Sequence, residues 1–324
     1  ADGWDVRSSF LQYVPFARNH HELFAWATPV AFESFSFEAY DVVLSVTSAE
    51  AKYVITKPET LHICYCLTPT RYLWSGVAQY ELHTNPLTRA VYRRSLPTLQ
   101  RWDMIGSARP DVYAAISNRV KGRIETYYQR EVARVIYPPA TQAELGKALR
   151  AGPPGEYYLV VARLVGYKRI DLIIEVFNEL GWPLVIVGDG NEKKRLMHLA
   201  KPNIRFVGGG LTDEELAHYY QNCRAFVFAG DEDFGIVAAE ALSYGKPVIA
   251  YRHSGVAEIV DHEKTGFLFD KQTKDSMMEA LVHFTSLQFD PKTCQKHAGH
   301  FSSRRFQQEI LDFDEQAVAQ AQKR

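Results

Sequence analysis

Two glutamates, Glu232 and Glu240, stand eight positions apart in GDEDFGIVAAEALSYGKPVIA, Gly230–Ala250. The first sits among acids just ahead of Phe234-Gly235, and the second falls inside a segment of helical period that starts there. A helix beginning at Gly235 offers unpaired N–H groups and the positive end of its dipole, which suits a phosphate or an electron-rich hydroxyl. Gly235 lets a ligand approach the backbone closely, and Asp233, Phe234 and Ile236 flank it as further donor contacts. Glu232 can then accept hydrogen bonds from sugar hydroxyls while Glu240 meets a more distant diol, such as a ribose. Upstream, ARLVGYKR (Ala162–Arg169) carries Arg163, a planar fork, and Lys168, a point charge, which together can neutralise a diphosphate. The combination points to a sugar nucleotide, with Glu232 as the catalytic candidate.

Plainer readings stand beside this one. Acids ahead of a helix often serve only as caps. Asp231-Glu232-Asp233 also matches a DxD string, in which two carboxylates hold a divalent ion against a donor diphosphate. Gly188-Asp189-Gly190 reads equally as a tight strand-to-helix turn and as a turn lining the donor. His20-His21, His253 and the other histidines lack ligand spacing and read as ordinary surface or core residues.

The elements that must position these residues alternate. From Glu156 onward, short β-branched runs at Tyr157–Ala162, Pro183–Gly188, Ile204–Val207, Ala225–Ala229, Pro247–Tyr251 and Phe267–Phe269 predict strands. Helical segments fall between and after them near Lys168–Leu180, Glu192–Ala200, Asp213–Asn222, Gly235–Tyr244, Val256–Val260 and Lys274–Ser286, with a helical tail from Ser303. This is the pattern of an α/β, doubly wound parallel sheet. In a sheet ordered 3-2-1-4-5-6, ligands bind outside the carboxyl ends of the first and fourth strands, which selects the Ala162–Arg169 and Gly230–Gly235 loops as facing partners.

The first part predicts a second α/β lobe, with strands at Asp41–Val46, Leu61–Cys66, Val112–Ile116 and Ala133–Ile136 and a helix Asn118–Tyr128 capped by Asn118. Pro138-Pro139 and the Gly-Pro-rich run at 152–155 mark a boundary. The expected domains are therefore an N-terminal, acceptor-side lobe at 1–138, a linker at 139–155, a nucleotide-binding lobe at 156–300 and a helical tail at 301–324. A start at ADGWDV, with no initiator Met and no first strand, makes the first lobe read as incomplete.

The 324 residues are 46% hydrophobic and 23% charged, enough for two cored lobes. A net charge of -1 argues against nucleic acid held by bulk electrostatics. Cys64, Cys66, Cys223 and Cys294 read as buried thiols of a reducing compartment, and CYC is expected to set its thiols on opposite faces of a strand, so no metal is assigned. No apolar run approaches the ~20 residues of a membrane span, and the expectation is a cytoplasmic protein. Leu87–Trp102, LTRAVYRRSLPTLQRW, is basic, aromatic and free of acids. It reads as a solvated helix face interrupted at Pro97, or as a surface for anionic lipid or a lipid-diphosphate acceptor, giving peripheral contact with the inner face of a membrane.

Glu232 and Glu240 in the EX7E spacing, Phe234-Gly235 within it and Arg163 and Lys168 upstream resemble the retaining GT-B glycosyltransferases of family GT4. PPA, VVARLVGYKRIDLIIEVF, IVGDG, IRFVGG and GKPVIAYRHSGVAEIVDHEKTGFLF occur in family order across most of residues 135–270. The first lobe, through SSFLQYVPFAR, LHICYCLTPTRYLW and AISNRVKGRIETYYQR, resembles the O-antigen and exopolysaccharide mannosyltransferase subgroup. The resemblance implies two Rossmann-like lobes flanking a cleft. It also implies a hexose donor, GDP-mannose in this subgroup, a glycan or lipid-diphosphate acceptor, and retention without metal or other cofactor. Glu232 would contact the donor sugar, Glu240 the ribose, and Arg163 and Lys168 the diphosphate. The chain departs from the pattern at Leu67, where CYCHTPxRY has its His, and in lacking the Gly-rich loop of the first lobe. Leu67 and nearby Arg71 are the acceptor-side candidates. The missing His makes a slow or non-catalytic sugar-nucleotide-binding protein the alternative, beside a GT-B sugar-nucleotide epimerase.

Overall fold

Among the described residues, ten short strands, all paired in parallel, build two separate sheets. The computed structural model describes residues 3, 5–15, 24, 26–82, 85–140 and 155–323. Most of the expected linker at 139–155, as well as His20-His21, lies outside them. The chain divides into one unit formed by Ala1–Ile136 with Ile310–Arg324 and a second formed by Tyr137–Glu309.

In the first unit, α1 (Thr28–Glu33) precedes β1 (Val42–Thr47) and β2 (Leu61–Cys66), followed by α2 (Val77–Leu82) and α3 (Pro86–Ser107). β3 (Val112–Ala115), α4 (Asn118–Tyr127) and β4 (Arg134–Val135) complete a sheet of order β1-β2-β3-β4. β2 is buried at every position, as a central parallel strand must be. Three expectations are corrected here. The cap of α4 is Ser117, whose Oγ accepts from the Val120 N–H at 3.0 Å, rather than Asn118, which already belongs to the helix. The helix at Leu87–Trp102 is not interrupted, because α3 runs through Pro97 and is fastened beyond it. Gln100 donates to the Leu73 carbonyl at 2.8 Å, and Asp103 is tied into the core. Cys64 and Cys66 share one face of β2, since strand side chains repeat every second residue. Cys66 donates to Cys64, and that bond, with burial, holds the Cys66 thiol well above the usual value.

The second unit has the order β10-β9-β8-β5-β6-β7. Its elements are β5 (Tyr157–Val161), α5 (Ile170–Leu180), β6 (Leu184–Val187), α6 (Lys193–Leu199), β7 (Ile204–Val207), α7 (Asp213–Asn222), β8 (Cys223–Phe228), α8 (Ile236–Ser243), β9 (Val248–Tyr251) and β10 (Gly266–Phe269). α9 (Lys274–Phe284), α10 (Pro291–Ala298) and α11 (Ser303–Ala321) follow. Counted within this unit the order is 3-2-1-4-5-6, the order that places the Ala162–Arg169 and Gly230–Gly235 loops side by side. The α5 face Ile170, Ile173, Ile174 and Phe177 packs into one core with Val160, Ile186, Val227 and Ile249. Val256–Val260 forms a single 3-10 turn, Gly255–Glu258, instead of an α-helix. β8 begins two residues earlier than expected, at Cys223.

Candidate functional site

The site is built at the carboxyl ends of β5 and β8, which are adjacent in the sheet. After β5 the chain passes Arg163, turns through a 3-10 segment Gly166–Lys168, and enters α5 with Arg169 left-handed at φ 53°. After β8 it passes Gly230 into the acidic run. The two loops touch along their backbones, since a Cβ on Gly230 would lie 3.0 Å from the Lys168 Cα. Their side chains meet as well. Lys168 Nζ lies 2.5 Å from Glu232 Oε1, with the two side chains only 12% and 17% exposed. The ammonium also sits 5.4 Å above the Phe228 ring. Arg163 is more exposed and donates to the Tyr167 hydroxyl at 3.1 Å.

Glu232 is held from behind. Its N–H donates to Ser254 Oγ at 3.1 Å, and its carbonyl accepts from the Gly255 N–H at 2.8 Å. Gln272 donates to the Ala229 carbonyl at 2.7 Å, fixing the exit from β8. Gly235 caps α8 at φ 94°, and a Cβ there would fall 2.3 Å from Val256 Cγ2, so both conformation and space exclude a side chain. Ile236 is exposed in the first turn of α8. Phe234 needs a correction: its ring is buried, stacked 5.5 Å from Tyr137 and edge-on to Phe301, so only its backbone is left for a ligand.

Glu240 lies one helical turn and more beyond, where its Oε2 accepts from the Tyr220 hydroxyl at 2.9 Å. Burial raises the carboxyl above its ordinary value, against the effect of that hydrogen bond. Gly188 sits under the Arg163 loop, because a Cβ at its φ of 145° would lie 1.9 Å from the Ala162 carbonyl oxygen. Asp189 accepts from the Gly190 N–H at 2.8 Å and pairs with Lys193, closing the turn. Among the described residues no three His, Cys, Asp or Glu side chains converge to hold a metal ion.

Leu67 and Arg71 belong to the first unit, in the loop after β2. Leu67 donates its N–H to the Thr47 carbonyl at 2.7 Å, and the Arg71 carbonyl accepts from Gly76 at 2.7 Å. Beneath this loop lies a buried polar cluster that no sequence spacing announced. Asp103 Oδ1 accepts from Lys52 Nζ at 2.7 Å, Tyr53 Oη at 2.6 Å and Thr70 Oγ1 at 2.9 Å, while Oδ2 accepts from Trp74 Nε1 at 2.6 Å. Burial alone would raise the Asp103 pKa, but the Lys52 ammonium and these donors outweigh it and hold the carboxyl low. Lys52 and Asp103 are 51 positions apart, and Tyr220, Ser254 and Gln272 are 20, 22 and 43 positions from their partners, so only the fold joins them.

Residues 142–299 match the family model of glycosyl transferases group 1. A GDP-mannose-dependent alpha-(1-6)-phosphatidylinositol monomannoside mannosyltransferase of Mycobacterium tuberculosis is 34% identical over 225 residues, 61% of this chain and 55% of that protein. The chain spans between 37% and 55% of the length of the first curated relatives it matches. Among solved structures, sucrose-phosphate synthase of Thermosynechococcus elongatus aligns with TM-score 0.68 at 19% identity, covering 94% of this chain and 79% of that one. Anabaena HepE in complex with UDP-glucose aligns with TM-score 0.56 at 18% identity, covering 78% of each chain. The fold is thus the GT-B fold, with two parallel-sheet α/β units.

Proposed function

We propose that the chain is a retaining glycosyltransferase that moves a hexose, mannose from GDP-mannose, onto a hydroxyl of a glycan or lipid-linked acceptor. The observation that carries this reading is the Lys168–Glu232 pair at the start of α8: a cation, a carboxylate and a helix N-terminus gathered at one switch point. In the reaction, the bond from the anomeric carbon to the diphosphate breaks, one to the acceptor hydroxyl oxygen forms, and the hydroxyl proton passes to the departing diphosphate. Arg163, Lys168 and the N–H groups of α8 take up the charge of the departing diphosphate. Glu232 holds the sugar hydroxyls, and Glu240, with Tyr220 behind it, holds the ribose diol. Leu67 and Arg71 are assigned to the acceptor side. Mannose and GDP rest on the mycobacterial relative's named donor and on the first-lobe resemblance. The test is a thermal-shift screen of GDP-mannose, UDP-glucose and ADP-glucose, followed by transfer assays with the donor that binds. Stabilisation by GDP-mannose and product formation are expected; no shift with any sugar nucleotide overturns the reading.

One observation favours a second reading. Leu67, at the position of the pattern's His, offers no polar group to a reacting sugar, which suits a protein that binds sugar nucleotides without turnover. Donor binding with no transfer to any acceptor would select it.

A further inference from the structure

The outer face of α3 has a composition that does not suit water. The helix is 22 residues long, about 33 Å at 1.5 Å per residue, and its inner face is fastened along its length. The Asn85 side chain caps it, Tyr92 donates to the Tyr72 carbonyl, Gln100 to the Leu73 carbonyl, and Asp103 accepts from Lys52 and Trp74. Gly106 closes against the Tyr53 ring with no room for a Cβ. This inner register leaves positions 87, 91, 94, 98, 101, 102 and 105 exposed on one side. There Leu87 is 77% exposed, Val91 63%, Trp102 43% and Ile105 59%. Val30 of α1, 52% exposed, lines a hollow with Trp102 and Ile105 and extends the apolar area.

The charge on this face has one sign. Arg94 and Arg101 are exposed among the apolar side chains, and Asp103, the only acid in α3, is buried. Neighbouring acids are neutralised, with Glu81 paired to Arg93 at 2.6 Å and Glu33 to Arg109 at 2.5 Å. Exposed leucine, valine and isoleucine, an aromatic ring able to lie at head-group depth and arginines able to reach phosphates form the pattern of a helix lying in a bilayer interface. Among the described residues no helix is long and apolar enough to cross a membrane. We infer that α3 is a membrane-docking surface, which lays Leu87, Val91, Trp102 and Ile105 against the head-group boundary of an anionic bilayer while Arg94 and Arg101 pair with lipid phosphates. This inference does not depend on the transferase reading, since lipid binding needs no sugar nucleotide.

The experiment is co-sedimentation of the purified chain with vesicles of phosphatidylcholine alone or with added phosphatidylglycerol. Binding is expected to the anionic vesicles, weakening as salt is raised. The double change Arg94→Gln and Arg101→Gln should lower the partition coefficient about 30-fold, at about 1 kcal/mol for each arginine. Both residues are exposed, and an unchanged melting temperature verifies the fold. Trp102→Gln should weaken binding in a way that low salt does not restore. Lys292→Gln with Lys296→Gln removes the same charge from an exposed part of α10 and should leave binding intact. Equal binding to both vesicle types overturns the inference, as does an equal loss in the α10 variant. So does a folded chain that ignores both vesicles, an outcome that would give the face to a protein partner instead.

Discussion

Lys168 is the residue on which the site turns, because it contacts Glu232 across two loops while its neighbour Arg163 remains more exposed. If Lys168 holds the diphosphate, Lys168→Ala should weaken GDP as much as GDP-mannose, by roughly tenfold to a hundredfold, the range of about 1.5–3 kcal/mol for a charged hydrogen bond. Calorimetric titration of both ligands measures this, and a variant that loses only the sugar nucleotide refutes the role. Leu67 carries the opposite expectation. A missing preorganised group typically forfeits ~3 kcal/mol of transition-state stabilisation, so Leu67→His should raise turnover while leaving donor affinity nearly unchanged. Steady-state rates of both forms with one acceptor decide it, and no gain means that another group does the work. At this scale the sequence was informative about placement, since the Lys168 loop meets the Glu232 loop and a helix starts at Gly235. It was silent on Ser254, Tyr220 and the Asp103 cluster, whose partners are brought in by tertiary packing. Phe234 shows the converse: adjacency to Gly235 suggested a ligand contact, and the ring turned to Tyr137 and Phe301.

Elements were legible wherever a period was strong. The parallel strands of the second unit and the amphipathic α5 follow directly from β-branched runs and helical spacing. Pro97 and the CYC thiols were misjudged for different reasons. A proline penalty of ~3 kcal/mol is a local term, and α3 outweighs it with anchors such as Gln100 and Asp103 that lie far from the proline's own partners. For the thiols, the strand was right and the parity was wrong. Two element-scale outcomes follow. Gly235→Ala should lower the melting temperature and weaken nucleotide binding together, since the new Cβ meets Val256 while α8 needs φ 94° at its cap; unchanged binding would show that the α8 terminus holds no phosphate. On β2, His62 is buried, with Nε2 3.0 Å from Ser45 Oγ, and desolvation lowers its pKa from the ordinary 6.5 to about 4. The unfolded chain therefore binds more protons between those values, and stability should fall by about 3 kcal/mol as pH drops through that window. Urea unfolding at pH 7 and near pH 4 tests this, and His62→Gln should flatten the slope.

For the whole molecule, composition and alternation predicted two parallel α/β units, and the sheets have that form. A division of the last helix at Ile310, with its end grouped in the first unit, was beyond reach because no local pattern marks it. In the proposed function, the cationic loop and the α8 terminus balance the diphosphate without a divalent ion. Transfer should accordingly survive an excess of chelator, and loss of activity restored by Mn²⁺ would favour the DxD reading. The order of the second sheet bears also on how the protein is made. β8 is laid against β5 only after β6 and β7, so Lys168 waits for a partner that follows β8 in the chain. Parallel neighbours cannot be joined by a hairpin and must await a long crossover. A ribosome-bound chain that has emerged only as far as α7 thus has the lysine loop and no glutamate to meet it. The site is a late product of synthesis, because Glu232 follows β8 and the residues that hold it, Ser254 and Gly255, follow β9.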